Sequence, residues 1–307
     1  MSEAQSILRP PALQPGDLVA VVAPAGPFDS ALLEKGAAIW RDRGFVVQIS
    51  PELKQRREYL AGDDDHRLKL LEAALSDPAV KAVVAARGGY GSLRLLDRLN
   101  LESLARQPKI VIGFSDLTAL QLDLWRQRRL VTFSGPMMAS RQLIEMNAPE
   151  REVYFATLRN TDPPPPLAAK QIIRPTAKTA NGWMMAGNLT MLCCLAAAQR
   201  LPDLHGAVLL IEDVNEAPYR VDRALTALRL GGHLENLAGL VCGSFGPEID
   251  DATLHRILLD CLRDSAFPIL SGAEYGHDGP NRLIPLGVPV EFDSFSRQVR
   301  FLTAGVC

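Results

Sequence analysis

The chain has 307 residues, of which 47% are hydrophobic and 22% charged, and a formal net charge of -2. This is a globular composition, long enough for one large domain or two of ordinary size. Its densest basic stretch, Lys54-Gln55-Arg56-Arg57, is short, which argues against nucleic acid as a partner, and no apolar run approaches the ~20 residues of a membrane span. Residues 18–24, LVAVVAP, predict a buried strand that breaks at Pro24-Ala25-Gly26-Pro27. Residues 30–43 carry Leu32, Leu33, Ala37 and Ile39-Trp40 at helical spacing and stop at Gly44, and residues 45–49 predict a second strand. Residues 63–75 predict a helix. Asp63-Asp64-Asp65 suits its N-terminus, and Leu68, Leu71 and Leu75 form one face, expected with Trp40 to cover a sheet. A third strand, 81–86, ends in Arg87-Gly88-Gly89-Tyr90-Gly91.

The fourth strand leads into the most informative segment, KIVIGFSDLTALQLDLW at 109–125. Ile110, Val111 and Ile112 run into Gly113-Phe114-Ser115-Asp116, and a helical pattern follows with Leu117, Leu120, Leu122 and Leu124. A serine at the apex of a strand–turn–helix projects its hydroxyl away from the sheet, and the N–H of Asp116 can face a developing oxyanion. Leu117 stands where a nucleophile elbow carries its second glycine. A serine that caps the following helix explains the same letters. Strands alternating with helices imply a mostly parallel sheet flanked by helices, with ligands at the carboxyl ends of its strands. Both Ser115 and the Arg87-Gly88-Gly89 turn fall at such ends.

Asn160-Thr161-Asp162-Pro163-Pro164-Pro165-Pro166 cannot hold helix or central sheet and marks the expected boundary. We therefore expect an N-terminal domain over 1–160, a proline-rich linker over 161–178 and a smaller C-terminal α/β domain over 179–307. Beyond it, 187–198 predict a buried helix, 207–211 a strand ending at Glu212-Asp213, 219–230 an amphipathic helix, 237–242 a strand, 254–262 a helix and 268–270 a short strand leading to Gly276-His277. Residues 288–302 predict short strands.

Five cysteines occur, Cys193, Cys194, Cys242, Cys261 and Cys307, with no CxxC spacing. An odd count lying mostly in apolar runs points to reduced thiols in a cytoplasm rather than a disulfide frame or zinc site. The opening MSEAQSILRPPALQPGD has no apolar h-region, so no signal peptide is expected.

A serine nucleophile needs a base, and the base needs an orienting group. Of the five histidines, His66, His205, His233 and His255 lie in charged or helical surroundings. His277, in EYGHDGPNRLIPLG, sits in a glycine-flanked loop that can aim an imidazole into a cleft; a surface-turn histidine is the alternative. Glu212, at the end of Val208-Leu209-Leu210-Ile211, needs a partner for a carboxylate at a buried strand end. It can orient a histidine, cap the next loop, or pair with Arg220 or Arg223. Glu216 is a second candidate on spacing alone. Gly88 or Gly89 lets the backbone approach an acyl oxygen. The turn is not GxGxxG and lacks the lysine and Ser/Thr of a phosphate loop, so nucleotide chemistry has weak support. With no HExxH and no close histidine pair, metal has little.

The chain resembles the LD-carboxypeptidases, also called muramoyltetrapeptide carboxypeptidases, whose relatives include the microcin C self-immunity peptidases. The resemblance rests on VAVVAPAGP, YLAGDDDHRLKLLEAALSDP, AARGGYGSLRLL, IGFSDLTAL, FSGPM, MMAGNLTML, LLIEDVNEAPYRVDRAL and GHDGPNRLIPLG, spread over nearly the whole chain. It implies a serine peptidase with no cofactor and a Ser-Glu-His triad: Ser115 as nucleophile, His277 as general base and Glu212 as its orienting group. The N–H groups of Asp116 and Gly89 would form the oxyanion hole, with Gly88 the other candidate. Arg87 would bind the substrate's terminal carboxylate, and Tyr90 and Asn188 would line the cleft. The implied fold has an N-terminal parallel-sheet domain and a smaller C-terminal domain, with the active site in the cleft between them. The implied reaction cuts the bond between an L-centre and a terminal D-alanine, trimming a cytoplasmic murein tetrapeptide to a tripeptide during cell-wall recycling by a homodimer. The microcin-type relatives instead cleave an acyl-amide bond. A two-lobed binding protein without catalysis is the reading of a different class.

Overall fold

The computed structural model describes residues 6–307, which divide into two compact units. The first holds the chain up to Asp162 together with Leu283–Gly287 and Ala304–Cys307; the second holds Pro163–Arg282 and Val288–Thr303.

The first unit runs β1 (Leu18–Val22), α1 (Ser30–Asp42), β2 (Val46–Gln48), α2 (Asp64–Ser76), β3 (Val80–Ala85), α3 (Glu102–Arg106), β4 (Ile110–Gly113), α4 (Thr118–Arg128), β5 (Thr132–Ser134), α5 (Arg141–Glu145) and α6 (Ala148–Arg159). The strands form a parallel sheet in the order β5-β4-β3-β1-β2. Strands β1, β3 and β4 are short apolar runs buried almost throughout, as central strands covered on both faces must be. Helix α1 is capped by Asp29, whose carboxylate accepts from Ala31 N–H at 2.7 Å and Leu32 N–H at 3.1 Å. Helix α2 is capped by Asp63, which accepts from His66 N–H at 2.8 Å, with Asp64 and Asp65 in its first turn. Trp40 is fully buried, and its ring meets Phe45, Tyr154 and Phe155 at centroid distances of 5.4, 6.1 and 5.1 Å. The leucines of α2 are buried as the spacing requires, Leu71 at 1% exposure. Leu71→Ala should therefore cost about 2–5 kcal/mol in a denaturant titration; a loss below ~1 kcal/mol would mean that this face carries little of the core.

The second unit runs β6 (Leu167–Ala168), β7 (Gln171–Arg174), β8 (Ala180–Asn188), α7 (Leu189–Ala197), β9 (Ala207–Glu212), α8 (Pro218–Leu230), β10 (Gly239–Cys242), α9 (Asp251–Cys261) and β11 (Ile269–Ser271). The chain then supplies β12 (Ile284–Leu286), which lies antiparallel to β5 as the sixth strand of the first unit's sheet. It closes with β13 (Pro289–Asp293) and β14 (Gln298–Phe301) in the second unit. The second sheet is ordered β6-β14-β13-β8-β9-β10-β11-β7, parallel from β8 to β11 and antiparallel outside them.

The interval 161–178 carries β6 and β7. Both are edge strands of this sheet and both follow Pro163 to Pro166, so no proline nitrogen is asked to join a central ladder. The long strand β8 was not foreseen from the sequence. Cys242 and Cys261 are buried, and burial pushes the Cys193 thiol up to about 11. Among the described residues no helix is long and apolar enough to cross a membrane.

Candidate active site

The first unit builds the serine. Strand β4 ends at Gly113, Phe114 is extended at φ -159, and Ser115 sits at φ 64, in the left-handed region that a non-glycine residue enters at a cost. A single 3-10 turn, Ser115–Leu117, then hands the chain to α4. A Cβ on Gly113 would stand 2.5 Å from the Cβ of Leu117. The glycine before the serine is thus required because Leu117, 1% exposed, packs onto it; the residue in the place of a second glycine creates the need for the first. The N-cap position of α4 belongs to Leu117, so the helix-capping reading of Ser115 does not hold.

The glycine-rich turn after β3 lies against this elbow. A Cβ on Gly88 would come within 3.0 Å of Ser115 Cβ and 3.3 Å of Ser115 Oγ. Asp116 fastens the two together. Its buried carboxylate accepts from Gly91 N–H at 3.2 Å and Ser92 N–H at 2.9 Å, and its carbonyl accepts from Ser92 Oγ at 2.6 Å. Burial holds the Asp116 carboxyl above its usual range, against the lowering effect of those bonds. The Asp116 side chain is structural cement between the elbow and the glycine turn. Arg87 is exposed and donates to Pro27 O at 3.0 Å. Tyr90 is exposed and meets Tyr59 edge-on, with ring centroids 5.7 Å apart.

The second unit builds the other pair. Every residue of β9 is buried, and its last, Glu212, has no exposed surface. His277 lies on the loop after β11, and its Nδ1 is 2.6 Å from Glu212 Oε2. The parallel register of β8 and β9 sets Asn188 directly beside Glu212. The Asn188 amide donates to Glu212 Oε1 at 3.1 Å and to Asp213 Oδ1 at 2.9 Å, while its oxygen caps α7 through Met191 N–H. Asn188 is 7% exposed, and its amide serves Glu212 and Asp213. Asp213 in turn accepts from Thr190 N–H, Thr190 Oγ1 and Val214 N–H. Glu216, four residues beyond Glu212, points elsewhere and pairs with Arg220.

A carboxylate oxygen can only accept, so the 2.6 Å contact with Glu212 assigns the His277 ring proton to Nδ1 and leaves Nε2 as the basic nitrogen. Burial raises the Glu212 carboxyl, partly offset by the His277 bond and charge. Burial lowers the His277 imidazole, but the Glu212 bond and charge outweigh it and leave it raised above its usual value.

Two residues escaped the sequence reading. Arg67 is a charged group at 2% exposure on the apolar face of α2, and its i, i+4 spacing to Leu71 was the available signal. Gly26 lies in the first strand's terminal turn, and its N–H donates to Gly88 O at 3.1 Å.

Residues 19–135 match the family model for the LD-carboxypeptidase N-terminal domain, and residues 181–292 that for the LD-carboxypeptidase C-terminal domain. The chain is 31% identical over 304 residues to a probable murein peptide carboxypeptidase of Bacillus subtilis, covering 97% of this chain and 95% of that one. It is 31% identical over 284 residues to the murein tetrapeptide carboxypeptidase of Pseudomonas aeruginosa, covering 88% and 91%. Among solved structures, a muramoyltetrapeptide carboxypeptidase from Oxalobacter formigenes superposes with a TM-score of 0.80 at 29% identity, over 92% of this chain and 97% of that one. The microcin C7 self immunity protein MccF shares the fold, with a TM-score of 0.86 at 19% identity over 98% and 100%.

Proposed function

The chain belongs to the LD-carboxypeptidase family, and from that premise we propose that it is a serine carboxypeptidase that cleaves the L,D-peptide bond before the terminal D-alanine of a murein tetrapeptide, giving the tripeptide. The observation that carries this reading is the bond between His277 Nδ1 and Glu212, which leaves Nε2 as a base of raised pKa. Ser115 Oγ attacks the carbonyl of the L-centre while His277 takes its proton. The oxyanion is held by the N–H groups of Asp116 and Gly89. The intermediate collapses as His277 protonates the departing D-alanine amine, and water, activated by the same imidazole, releases the acyl-enzyme. Arg87, exposed beside the glycine turn, binds the terminal carboxylate, and Tyr90 contacts the substrate. The nucleophile belongs to the N-terminal part of the chain and Glu212 and His277 to the part beyond 161–178.

The test is D-alanine release from an L,D-tetrapeptide of murein type, run beside its all-L counterpart and Ser115→Ala. Release from the first substrate alone, lost in the variant, is the expected result. No release from either would transfer the reading to an acyl-amide hydrolase, the reaction type expected of the microcin-type relatives. We further propose a cytoplasmic homodimer. The odd, CxxC-free set of cysteines supports a reducing compartment, and sedimentation at two concentrations would expose a monomer.

A further inference from the structure

The turn after β3 has no side chain of its own to set the direction of its central peptide. Residues 88 and 89 are both glycine, and Gly89 and Gly91 sit at φ 113 and 130. A peptide between two glycines turns over at little steric cost. Yet the Gly89 N–H stabilises an oxyanion only when it faces it, so its orientation must be imposed from outside the turn.

Two contacts impose it. Gly26 N–H donates to the Gly88 carbonyl at 3.1 Å. A trans peptide points its C=O and N–H in opposite directions, so this bond turns the Gly89 N–H away from Gly26. Arg67 then sets the spacing of the two loops. Its Nη1 donates to the carbonyl of Pro24, two residues before Gly26, and at 2.9 Å to that of Gly91, two residues after Gly89. Its Nη2 is anchored by Asp64 at the start of α2. One guanidinium, its side chain wholly buried, thus ties the loop that supplies the Gly26 donor to the turn that receives it. The space is filled closely: a Cβ on Gly91 would lie 2.7 Å from Arg67 Nη1, and one on Gly26 would lie 3.0 Å from Gly88 O.

We propose that Arg67 and Gly26 are positioning residues that hold the peptide between Gly88 and Gly89 with its N–H turned to the oxyanion. The inference rests on the serine-peptidase reading and goes beyond it, because neither residue touches the substrate. Lysine keeps the charge at position 67 but cannot span two carbonyls and a carboxylate with a planar fork.

Arg67→Lys and Gly26→Ala are to be compared with wild type for kcat, KM, the rate of labelling at Ser115 by a fluorophosphonate and the thermal midpoint. The expected result is a fall in kcat and in labelling rate of about 10²–10³-fold, the effect of one lost oxyanion donor, with KM nearly unchanged and the variants folded at the assay temperature. If Arg67→Lys fails to fold, Gly26→Ala decides: Gly26 lies outside the left-handed region, and the added methyl presses first on the Gly88 carbonyl, 3.0 Å away, and so displaces the peptide that the Gly26 N–H orients. Wild-type kcat in a folded variant, or a loss carried by KM or by the folded fraction, overturns the inference. A wild-type protein that neither labels nor releases D-alanine overturns the serine reading and this inference with it.

Discussion

Ser115→Gly is expected to be inactive and yet more stable than Ser115→Ala by about 1 kcal/mol. Both variants lose the proposed nucleophile, and removal of a triad serine lowers kcat by about 10⁶-fold in the best-studied serine peptidases. They differ only in what the backbone requires. Ser115 stands at φ 64, where a Cβ is crowded by the following carbonyl, and alanine keeps that crowding while glycine relieves it. The glycine variant loses part of the gain because its unfolded chain is more flexible, which is why the expected difference is about 1 kcal/mol and not the full strain. The fold should survive in both because Asp116 holds the elbow to the glycine turn through Gly91 and Ser92. Denaturant midpoints of the two variants decide the matter. A glycine variant no more stable than the alanine one would mean that the elbow stores no strain for the sake of the nucleophile.

What could be read from the letters follows how local each constraint is. The elbow was legible because β4, Gly113, Ser115 and α4 are consecutive, and the packing of Leu117 onto Gly113 is an i, i+4 event. Glu212 stood out as a strand-end carboxylate and His277 as a glycine-flanked histidine, and the resemblance joined them, but they lie 65 residues apart and their contact depends on the strand order of the second sheet. For Asn188, nothing in MMAGNLTML announces that the residue ends a strand in register with Glu212 and donates to it. Strand β8 itself was lost for two reasons. Its sequence, ANGWMMAGN, contains residues that usually break strands, and its last five residues are all buried, which erases the alternation that marks a half-exposed strand. The edge strands β6 and β7 hid behind the prolines, which forbid a central position but not an edge. Arg67 shows the same limit: its helix was foreseen, but that its buried charge reaches the carbonyls of Pro24 and Gly91 is a tertiary fact.

Glu212→Gln tests the orienting group, and the expected loss in kcat is about 10⁴-fold, the size seen when a triad carboxylate becomes an amide. The reason lies in the second oxygen. Asn188 donates to Glu212 Oε1 and so demands an acceptor there. A glutamine must give its carbonyl to Asn188, which turns its NH2 toward His277 Nδ1. That nitrogen then has to accept, the ring proton moves to Nε2, and the imidazole can no longer serve as the proposed base. The charge is lost as well. In the wild type the Glu212 bond and charge outweigh burial and hold the imidazole above its usual value, so the acidic limb of kcat/KM, which reports the neutral base of the free enzyme, lies correspondingly high. Without the carboxylate, burial again lowers the imidazole, opposed by the weaker charges of Asp213 and Asp278. The limb of the residual activity should therefore move to lower pH while its plateau falls. An unmoved limb would show that a group other than the His277–Glu212 pair controls the ionisation, and a plateau close to wild type would show that the bond between them does not fix the tautomer.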